Sequence, residues 1–161
     1  KYNTTHYRSI IDAIRTYLPD ASITTDIIVG FPSETEKDFR MTLDMSGEIE
    51  FDDAFTYRYS QRPGTKAARM QGHVSNETAA RRLDELIALQ RDISHKKNRA
   101  EIGKVVTALI EKPSRKNAGE MLCSTSKNKM VVVDTKEPAG KFITLSIIGI
   151  SGNTLRGNEL G

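Results

Sequence analysis

The chain has 161 residues and a formal net charge of +3, with 37% hydrophobic and 28% charged side chains. These values are typical of a soluble globular protein, and no stretch reaches the roughly 18 consecutive apolar residues that predict a membrane span. The single cysteine, Cys123, excludes an internal disulfide framework and a cysteine-rich metal site. The three histidines, His6, His73 and His95, lack the spacing of metal ligands. We therefore expect a cytoplasmic protein without a signal peptide or a metal site of its own.

Predicted helices and strands alternate through the first third of the chain. They are a helix over 5–18, a strand over 23–29, a helix over 35–48 and a strand over 51–60. Ser33 and Glu36 have the spacing of a capping box at the start of the second helix. The order of elements indicates βα-units with a parallel sheet, and the apolar run Ile27–Val29 favours a strand covered on both faces.

The rest of the chain predicts one long helix followed by a small β-structure. The helix covers 75–102 and carries charges of both signs, so we expect Arg81 and Arg82 on a solvated face. Five short β-type segments follow, separated by turn sequences, and they favour a small five-stranded barrel of the OB-like kind. The predicted class is therefore α/β followed by all-β. The predicted parts are an α/β domain over 1–73, a connecting helix over 74–103 and a β-barrel over 104–161.

Two predicted strand ends carry side chains that suit ligand binding. At the first, Gly30 allows a close backbone approach to a ligand, and the following helix start offers unpaired N–H groups to an anion. Asp26 lies within the apolar strand, where a carboxylate must be paired, hydrogen-bonded or functional. At the second strand end, Tyr57 and Tyr59 share one face, and Arg62 in the loop suits a carboxylate or phosphate. Each feature alone also suits an ordinary turn or a surface side chain.

Taken together, the two strand ends resemble a known family. The sequence GFPSET from Gly30, followed about 30 residues later by YSQRPGT from Tyr59, is similar to the radical-SAM methylthiotransferases. The resemblance continues through RRLDELIALQRDIS, and the stretches NKMVVVD and GKFITLSIIGISGNTLRGNEL resemble the TRAM domain of that family. It covers essentially the whole chain. The stretch FDDAFTYRYSQRPGTKAA is most similar to the branch that adds a 2-methylthio group to N6-dimethylallyladenosine in tRNA.

The resemblance implies a fold and a chemistry. The family has a partial (β/α) barrel with a 4Fe–4S cluster on a Cys-x-x-x-Cys-x-x-Cys loop, a preceding domain with a second cluster, and a TRAM domain at the end. S-adenosylmethionine on the first cluster is cleaved to a radical, and a methylthio group is then installed. Because the cluster cysteines are absent here, we expect the C-terminal part of such an enzyme, inactive alone and without a catalytic residue. Its expected partners are the tRNA anticodon stem-loop, the N-terminal part of the enzyme and a sulfur donor.

The resemblance also implies roles for individual residues. Cofactor contacts are expected from Asp26, Ile28, Gly30, Ser33, Glu34 and Tyr57, and substrate contacts from Tyr59, Arg62 and Thr65. RNA contacts are expected from basic residues at turns or strand ends, which are Lys112, Arg115, Lys116, Lys127, Lys129 and Arg156. The family usually has glycine where Ser33 stands. It often has Gly-Arg where Cys123 and Ser124 stand, so one expected basic contact is missing here.

Three alternative functions stay open at this point. Two are other branches of the same family, which act on threonylcarbamoyladenosine in tRNA or on an aspartate of a ribosomal protein. The third is a free-standing RNA-binding module in which the α/β part is a scaffold. An RNA-binding role is compatible with the charge distribution, because residues 105–161 carry more basic than acidic side chains.

Overall fold

The computed structural model of the protein describes residues 3–115, 117 and 119–160. The helices are α1 (Thr4–Tyr17), α2 (Glu36–Ile49) and α3 (Asn76–Arg99), with a short 3-10 helix at Ala67–Arg69. The strands are β1 (Thr24–Val29), β2 (Asp53–Arg58), β3 (Val105–Pro113), β4 (Glu120–Thr125), β5 (Met130–Asp134), β6 (Phe142–Ser151) and β7 (Thr154–Glu159). The chain forms two compact units, one mainly before Ser94 and one mainly after it. Among the described residues, no helix is long and apolar enough to cross a membrane.

The first unit contains the predicted alternation of helices and strands. β1 and β2 are parallel neighbours, and α2 connects them. Helix α2 begins after Thr35, whose hydroxyl accepts the Asp38 N–H while the Asp38 carboxylate accepts the Thr35 N–H. The capping box is therefore Thr35 with Asp38, and the predicted pair of Ser33 with Glu36 is wrong. The reason is that the backbone at Ser33 is left-handed, with φ of 70°, so that the chain still turns there before the helix begins.

The sheet of the first unit is covered on one face. Val29 of β1, Phe39 of α2 and Leu86 of α3 are fully buried and form one cluster there. On the opposite face Ile28 and Tyr57 are neighbours in the strand register, and their exposed fractions are 54% and 51%. The expectation of a strand covered on both faces is therefore wrong in this structure, because the side chains on this face are exposed.

Helix α3 packs through one stripe of buried residues at helical spacing. The stripe consists of Ala79, Arg82, Leu86, Gln90 and Ile93. The expectation of a solvated Arg82 is therefore wrong, whereas the neighbouring Arg81 is exposed as predicted. The helix lies within the predicted span of 75–102, and its last turn ends three residues earlier than predicted. The finer division into parts at 73/74 and 103/104 stays a prediction.

The second unit contains a closed five-stranded barrel. The strands follow the order β3-β4-β5-β7-β6, and all neighbours are antiparallel except β5 and β7. Alternate residues of the strands meet in one core, which consists of Ala108, Ile110, Cys123, Val131, Val133, Ile143, Leu145, Ile147 and Leu155. The prediction of a small five-stranded barrel is confirmed, since each strand coincides with one of the five predicted β-type segments.

Candidate functional site

The carboxyl ends of β1 and β2 meet at one edge of the sheet, where a tight turn follows. The Tyr59 N–H donates to the Val29 carbonyl at 2.8 Å and holds the two segments side by side beyond the strands. Gly30 has φ of 75°, and a Cβ at this position would lie 2.8 Å from the Ala79 Cβ of α3. Both the turn and the close approach of α3 therefore require glycine at this position.

A buried ion pair holds this turn in place. The Glu34 carboxylate accepts the Gly30 N–H and an Arg82 N–H, both at 2.7 Å, and the Arg82 guanidinium also donates to the Glu34 carbonyl at 3.1 Å. The side chains of Arg82 and Glu34 are only 5% and 11% exposed. Sequence reasoning missed Arg82, although its spacing from Ala79 and Leu86 places it on the buried stripe of α3. The predicted contact of Glu34 with a cofactor stays a prediction beside this internal role.

Ser33 connects the turn to the loop that precedes α3. Its N–H donates to the Gly72 carbonyl at 2.7 Å, and its hydroxyl donates to the Gln71 carbonyl at 3.0 Å. The left-handed backbone at Ser33 is a conformation that glycine adopts more readily than other residues. This conformation gives a physical reason for the glycine that the methylthiotransferase pattern usually has at this position.

An aromatic cluster lies beside the turn, next to a cavity of about 480 Å³. The rings of Phe31 and Tyr59 meet edge to face with centroids 5.2 Å apart, and the His73 ring stacks on Tyr59 at 6.2 Å. Gly30, Tyr57, Tyr59 and His73 are among the residues that line the cavity. The Tyr59 hydroxyl is buried and has no hydrogen-bond partner among the described residues. Phe31 belongs to the GFPSET motif and His73 to no motif, and the sequence did not predict the place of either residue in this cluster.

The predicted residues of β1 lie on the open face of the sheet. Ile28 stands beside Tyr57, so the structure brings these two predicted cofactor contacts together. Asp26 stands beside Phe55 and is exposed. The expectation of a carboxylate inside a buried strand is therefore wrong, because the open face leaves the Asp26 side chain in contact with solvent.

The loop after β2 places Arg62 and Thr65 in different roles. The Thr65 hydroxyl donates to the Arg62 carbonyl at 2.8 Å and accepts the Ala68 N–H at 3.2 Å, so it shapes the start of the 3-10 helix. The Arg62 side chain is exposed, and no ion pair involves it within the described part of the chain. Arg62 is thus available to a ligand, whereas the hydroxyl of Thr65 is already used by the loop.

In the barrel, three of the predicted RNA-binding residues line one groove of about 350 Å³, namely Lys112, Arg115 and Arg156. Lys112 lies beside Leu122 of β4 in the strand register, and Arg156 lies beside Val132 of β5. Leu122 and Val132 are themselves neighbours, so one row of residues crosses four strands on the outer surface. The groove therefore has an apolar floor between positively charged walls, an arrangement that suits a polyanion with apolar parts.

One acidic side chain, Glu120, also lies in the groove. Its carboxylate accepts hydrogen bonds from Asn117 at 2.9 Å and from Arg156 at 2.6 Å. The hydrogen bond from Asn117 and then that from Arg156 lower the pKa of Glu120 from its usual value of 4.5. Glu120 is therefore ionised at neutral pH and holds Arg156 in position, and a phosphate in the groove would compete for this arginine.

Comparison with known proteins shows what the chain is similar to. Residues 99–159 match the TRAM domain. The tRNA-2-methylthio-N(6)-dimethylallyladenosine synthase of Thermoanaerobacter sp. (strain X514) is 42% identical over 98% of this chain and 34% of its own length. Proteins of the same name from Treponema pallidum (strain Nichols) and Clostridium botulinum (strain Langeland / NCTC 10281 / Type F) are 38% and 36% identical, over 96% and 99% of this chain. Nearly the whole chain is therefore similar to part of these synthases.

The barrel is therefore a TRAM domain, and the resemblance that the sequence motifs carry is confirmed. The matched residues 99–159 contain all five strands of the barrel, from Val105 to Glu159. The chain spans about a third of the length of the curated relatives that it matches, with 34–36% of each relative covered. The TRAM groove and the strand edge of the first unit are thus two candidate sites within one part of a longer family architecture.

The other predicted RNA-binding residues of the TRAM domain lie outside the groove or outside the described residues. Lys127, in the turn between β4 and β5, pairs with Asp20 at 2.8 Å. In the same turn, the Lys129 N–H donates to the Thr125 hydroxyl at 3.1 Å. Lys116 lies outside the described residues. The TRAM groove therefore brings together three of the six predicted residues.

The single cysteine belongs to the core of the TRAM domain. Cys123 is fully buried, and burial raises the pKa of its thiol to about 11. The thiolate, which is the reactive form, is therefore strongly disfavoured at neutral pH. Cys123 acts as a small buried apolar residue. Within the described ranges, no group of histidine, cysteine, aspartate and glutamate side chains could hold a metal ion.

Proposed function

We propose that this chain is the C-terminal part of an enzyme that adds a 2-methylthio group to N6-dimethylallyladenosine next to the anticodon of tRNA. The observation that carries the proposal is the match of nearly the whole chain to synthases named for this product, together with the TRAM domain. The relatives are about three times as long as the matched part, so the proposed activity is that of a longer protein.

The open face of the first unit supports a place in a partial (β/α) barrel. Parallel strands are normally covered on both faces, and a two-stranded sheet is only marginally stable alone. Ile28, Phe55 and Tyr57 nevertheless lie exposed on one face. If further strands of the same enzyme lay beside β1 and β2, this face would line the inside of a barrel. Ligands of such barrels bind at the carboxyl ends of the strands, which is where Gly30 and Tyr59 lie.

The residues at this edge fit part of a bound S-adenosylmethionine. Ile28 and Tyr57 offer an apolar surface to an adenine ring, next to the backbone of Gly30. The Tyr59 hydroxyl offers a hydrogen bond that is unused among the described residues, and Arg62 offers a guanidinium to an anionic group. In this family the cofactor, when bound to a 4Fe–4S cluster, supplies the radical chemistry. The role of the present residues is to bind and orient it.

The donor atoms of this chain do not fit an iron–sulfur cluster. A 4Fe–4S cluster is held by several cysteine thiolates, whereas the one cysteine here is buried in the TRAM core. The clusters of the proposed enzyme therefore belong to the remainder of the longer protein, which would also meet the sulfur donor. We therefore propose that the chain alone does not catalyse the reaction.

The proposed role of the TRAM domain is to hold the anticodon stem-loop of the tRNA. Lys112, Arg115 and Arg156 line one groove and are the residues proposed to contact phosphates. Each neutralised phosphate releases counterions, so the affinity should fall as the salt concentration rises. Contacts of this kind position an RNA and carry little information about its base sequence.

Nucleoside mass spectrometry tests the proposed function. Bulk tRNA is compared between cells that contain the gene encoding this chain and cells that lack it. The expected result is loss of the 2-methylthio group from N6-dimethylallyladenosine, restored by the intact gene but not by a gene for these residues alone. Loss of the 2-methylthio group from threonylcarbamoyladenosine instead would indicate the same chemistry on a different substrate. If neither nucleoside changes, the tRNA proposal fails, and a ribosomal-protein substrate or a plain RNA-binding module takes its place.

Arg62 tests the strand-edge site in the same cells. The intact gene with Arg62→Ala should restore less of the 2-methylthio modification, because a guanidinium is lost from the edge where cofactor and substrate are proposed to bind. A matched control is Lys37→Ala, which removes an exposed cation from α2 in the same unit. Equal and full restoration by both variants would exclude Arg62 from the site.

A further inference from the structure

An exposed aromatic ring stands at the start of β6 in the TRAM domain. Phe142 is 71% exposed, although phenylalanine is one of the residues most often buried. In the register it lies beside Leu109 of β3, which lies beside Ser124 of β4. Exposure of a full aromatic ring is unfavourable in water, so a partner that covers the ring gains this free energy on binding.

The ring of Phe142 and the basic groove share the outer surface of the barrel. Leu109 and Lys112 lie on the same strand, and the bulge between Ile110 and Lys112 returns the Lys112 side chain to the outer face. Leu109 and Lys112 are about 10 Å apart along β3, and β6 lies about 4.8 Å from β3. The backbone of Phe142 therefore lies about 11 Å from that of Lys112 at the end of the groove, and the half-buried Leu109 lies beside Phe142.

From this arrangement we propose that the TRAM domain binds unpaired nucleotides, with one base stacked on Phe142 and neighbouring phosphates at Lys112 and Arg115. The inference rests on the RNA-binding function proposed above, and it adds the kind of RNA structure that the domain selects. An aromatic ring stacks on any free base, whereas the bases of an A-form duplex are already stacked on each other. Small barrels of this kind bind about 4–16 nucleotides, so one short unpaired segment reaches both the ring and the groove.

The charge of the surroundings favours RNA over a protein as the occupant. The groove next to the ring has lysine and arginine on its walls and leucine and valine on its floor. A phosphate backbone neutralises such walls while the bases cover the apolar surface. A protein partner would need a larger apolar area, since stable protein interfaces bury roughly 1,200 Å² or more.

The amino-acid composition gives this inference a direct optical test. The chain contains no tryptophan, so Phe142→Trp introduces a single fluorescent reporter at the proposed stacking position. The variant chain is titrated with a hairpin RNA that has an unpaired loop, and separately with a blunt duplex of the same stem. We expect the hairpin to quench the fluorescence strongly and the duplex to quench it little. The matched control is Val105→Trp, an exposed outer position on β3 at the end remote from the groove, where neither RNA should quench.

Affinities of the same two RNAs complete the test. Phe142→Ala should weaken binding of the hairpin roughly tenfold, which corresponds to about 1.4 kcal/mol, and leave binding of the duplex unchanged. Phe142→Tyr should retain the affinity for the hairpin, whereas Lys112→Ala should weaken the binding of both RNAs. Because Phe142 is exposed, thermal unfolding should show that each of its variants remains folded.

The outcomes separate this inference from the proposed function. If the unmodified chain binds the hairpin and Lys112→Ala weakens it, but Phe142→Ala has no effect, stacking at Phe142 is wrong and the RNA-binding function stands. If duplex and hairpin bind equally well, the preference for unpaired nucleotides is wrong. If the chain binds neither RNA, the proposed RNA-binding function fails and the inference fails with it.

Discussion

The two units of the chain differ in how completely each one covers its own apolar surface. In the TRAM barrel every strand has two neighbours, and core residues such as Leu145 and Ile147 are fully buried. In the first unit the sheet has two strands, and Ile28 and Tyr57 lie exposed on one face. A closed barrel has no free edge and needs no further chain to bury its core. The TRAM barrel is therefore a self-contained domain, whereas the sheet of the first unit is suited to further protein beside it.

The largest expected effect comes from the barrel core. Leu145 is fully buried, so Leu145→Ala should leave a cavity and lower the free energy of unfolding of the barrel by about 3–5 kcal/mol. Hydrogen exchange followed by mass spectrometry measures this loss in the barrel strands and leaves the first unit as an internal reference. Thr144→Ala, at the exposed neighbouring position, should change stability by less than about 0.5 kcal/mol. Similar losses in the two variants would mean that the barrel is not packed as described.

Arg82 should have the largest effect in the first unit. Arg82→Ala removes the buried partner of Glu34 and should destabilise this unit by about 3 kcal/mol, while the barrel is unaffected. The neighbouring Arg81 is exposed and its ion pairs are screened by solvent, so Arg81→Ala should have a much smaller effect. Hydrogen exchange of α2 and β1 is the measurement. Equal protection in the two variants would show that the buried pair does not stabilise the turn.

The close approach of α3 to the turn can be separated from the turn itself. Gly30→Ala combines an unfavourable positive φ with a Cβ only 2.8 Å from Ala79, so we expect a loss of about 2 kcal/mol. Gly64 also has a positive φ, but a Cβ there meets open space, so Gly64→Ala should cost only about 1 kcal/mol. Urea unfolding of both variants gives the difference. A larger loss at Gly64 would contradict the packing of α3 described here.

The smallest expected effect is a pH dependence within the barrel. Asn117 and Arg156 hold the pKa of Glu120 below its usual value of 4.5 in the folded state. Ionised Glu120 therefore stabilises the barrel fully above about pH 4.5. This contribution is lost as the pH falls through the lower pKa that Glu120 has in the folded state. Between about pH 6 and pH 3, Glu120→Gln should lose less stability than the unmodified chain in urea unfolding. The control is Glu111→Gln, at an exposed position of β3. Identical dependence of stability on pH in the unmodified chain and both variants would refute the contacts of Glu120 with Asn117 and Arg156.

Local patterns in the sequence predicted the elements of the fold but not every detail. The five strands of the barrel were predictable because alternating apolar residues and turn residues are local signals. The capping box was misassigned because two overlapping pairs have the same spacing, Ser33 with Glu36 and Thr35 with Asp38. The two pairs differ in the backbone angle at Ser33, which a residue pattern does not reveal.

The candidate sites were predictable as positions but not as contacts. The strand-end motif located Gly30 and Glu34, whereas the partner Arg82 lies 48 residues further along the chain. The basic groove likewise depends on register, because the parallel pairing of β5 with β7 places Arg156 beside Val132. Long-range contacts of this kind are set by tertiary packing, so the local sequence around each residue contains little information about them.

RNA binding by the TRAM groove through Lys112, Arg115 and Arg156 is the proposal on which the other roles of this domain depend. The most direct test is the salt dependence of hairpin RNA affinity, compared between the unmodified chain and a variant with all three residues changed to alanine. A single-stranded phosphate contact contributes about 0.7 to the slope of log affinity against log salt concentration. We expect the slope of the triple variant to be shallower by about 2. Equal slopes, or no binding by the unmodified chain, would contradict RNA binding through these three residues.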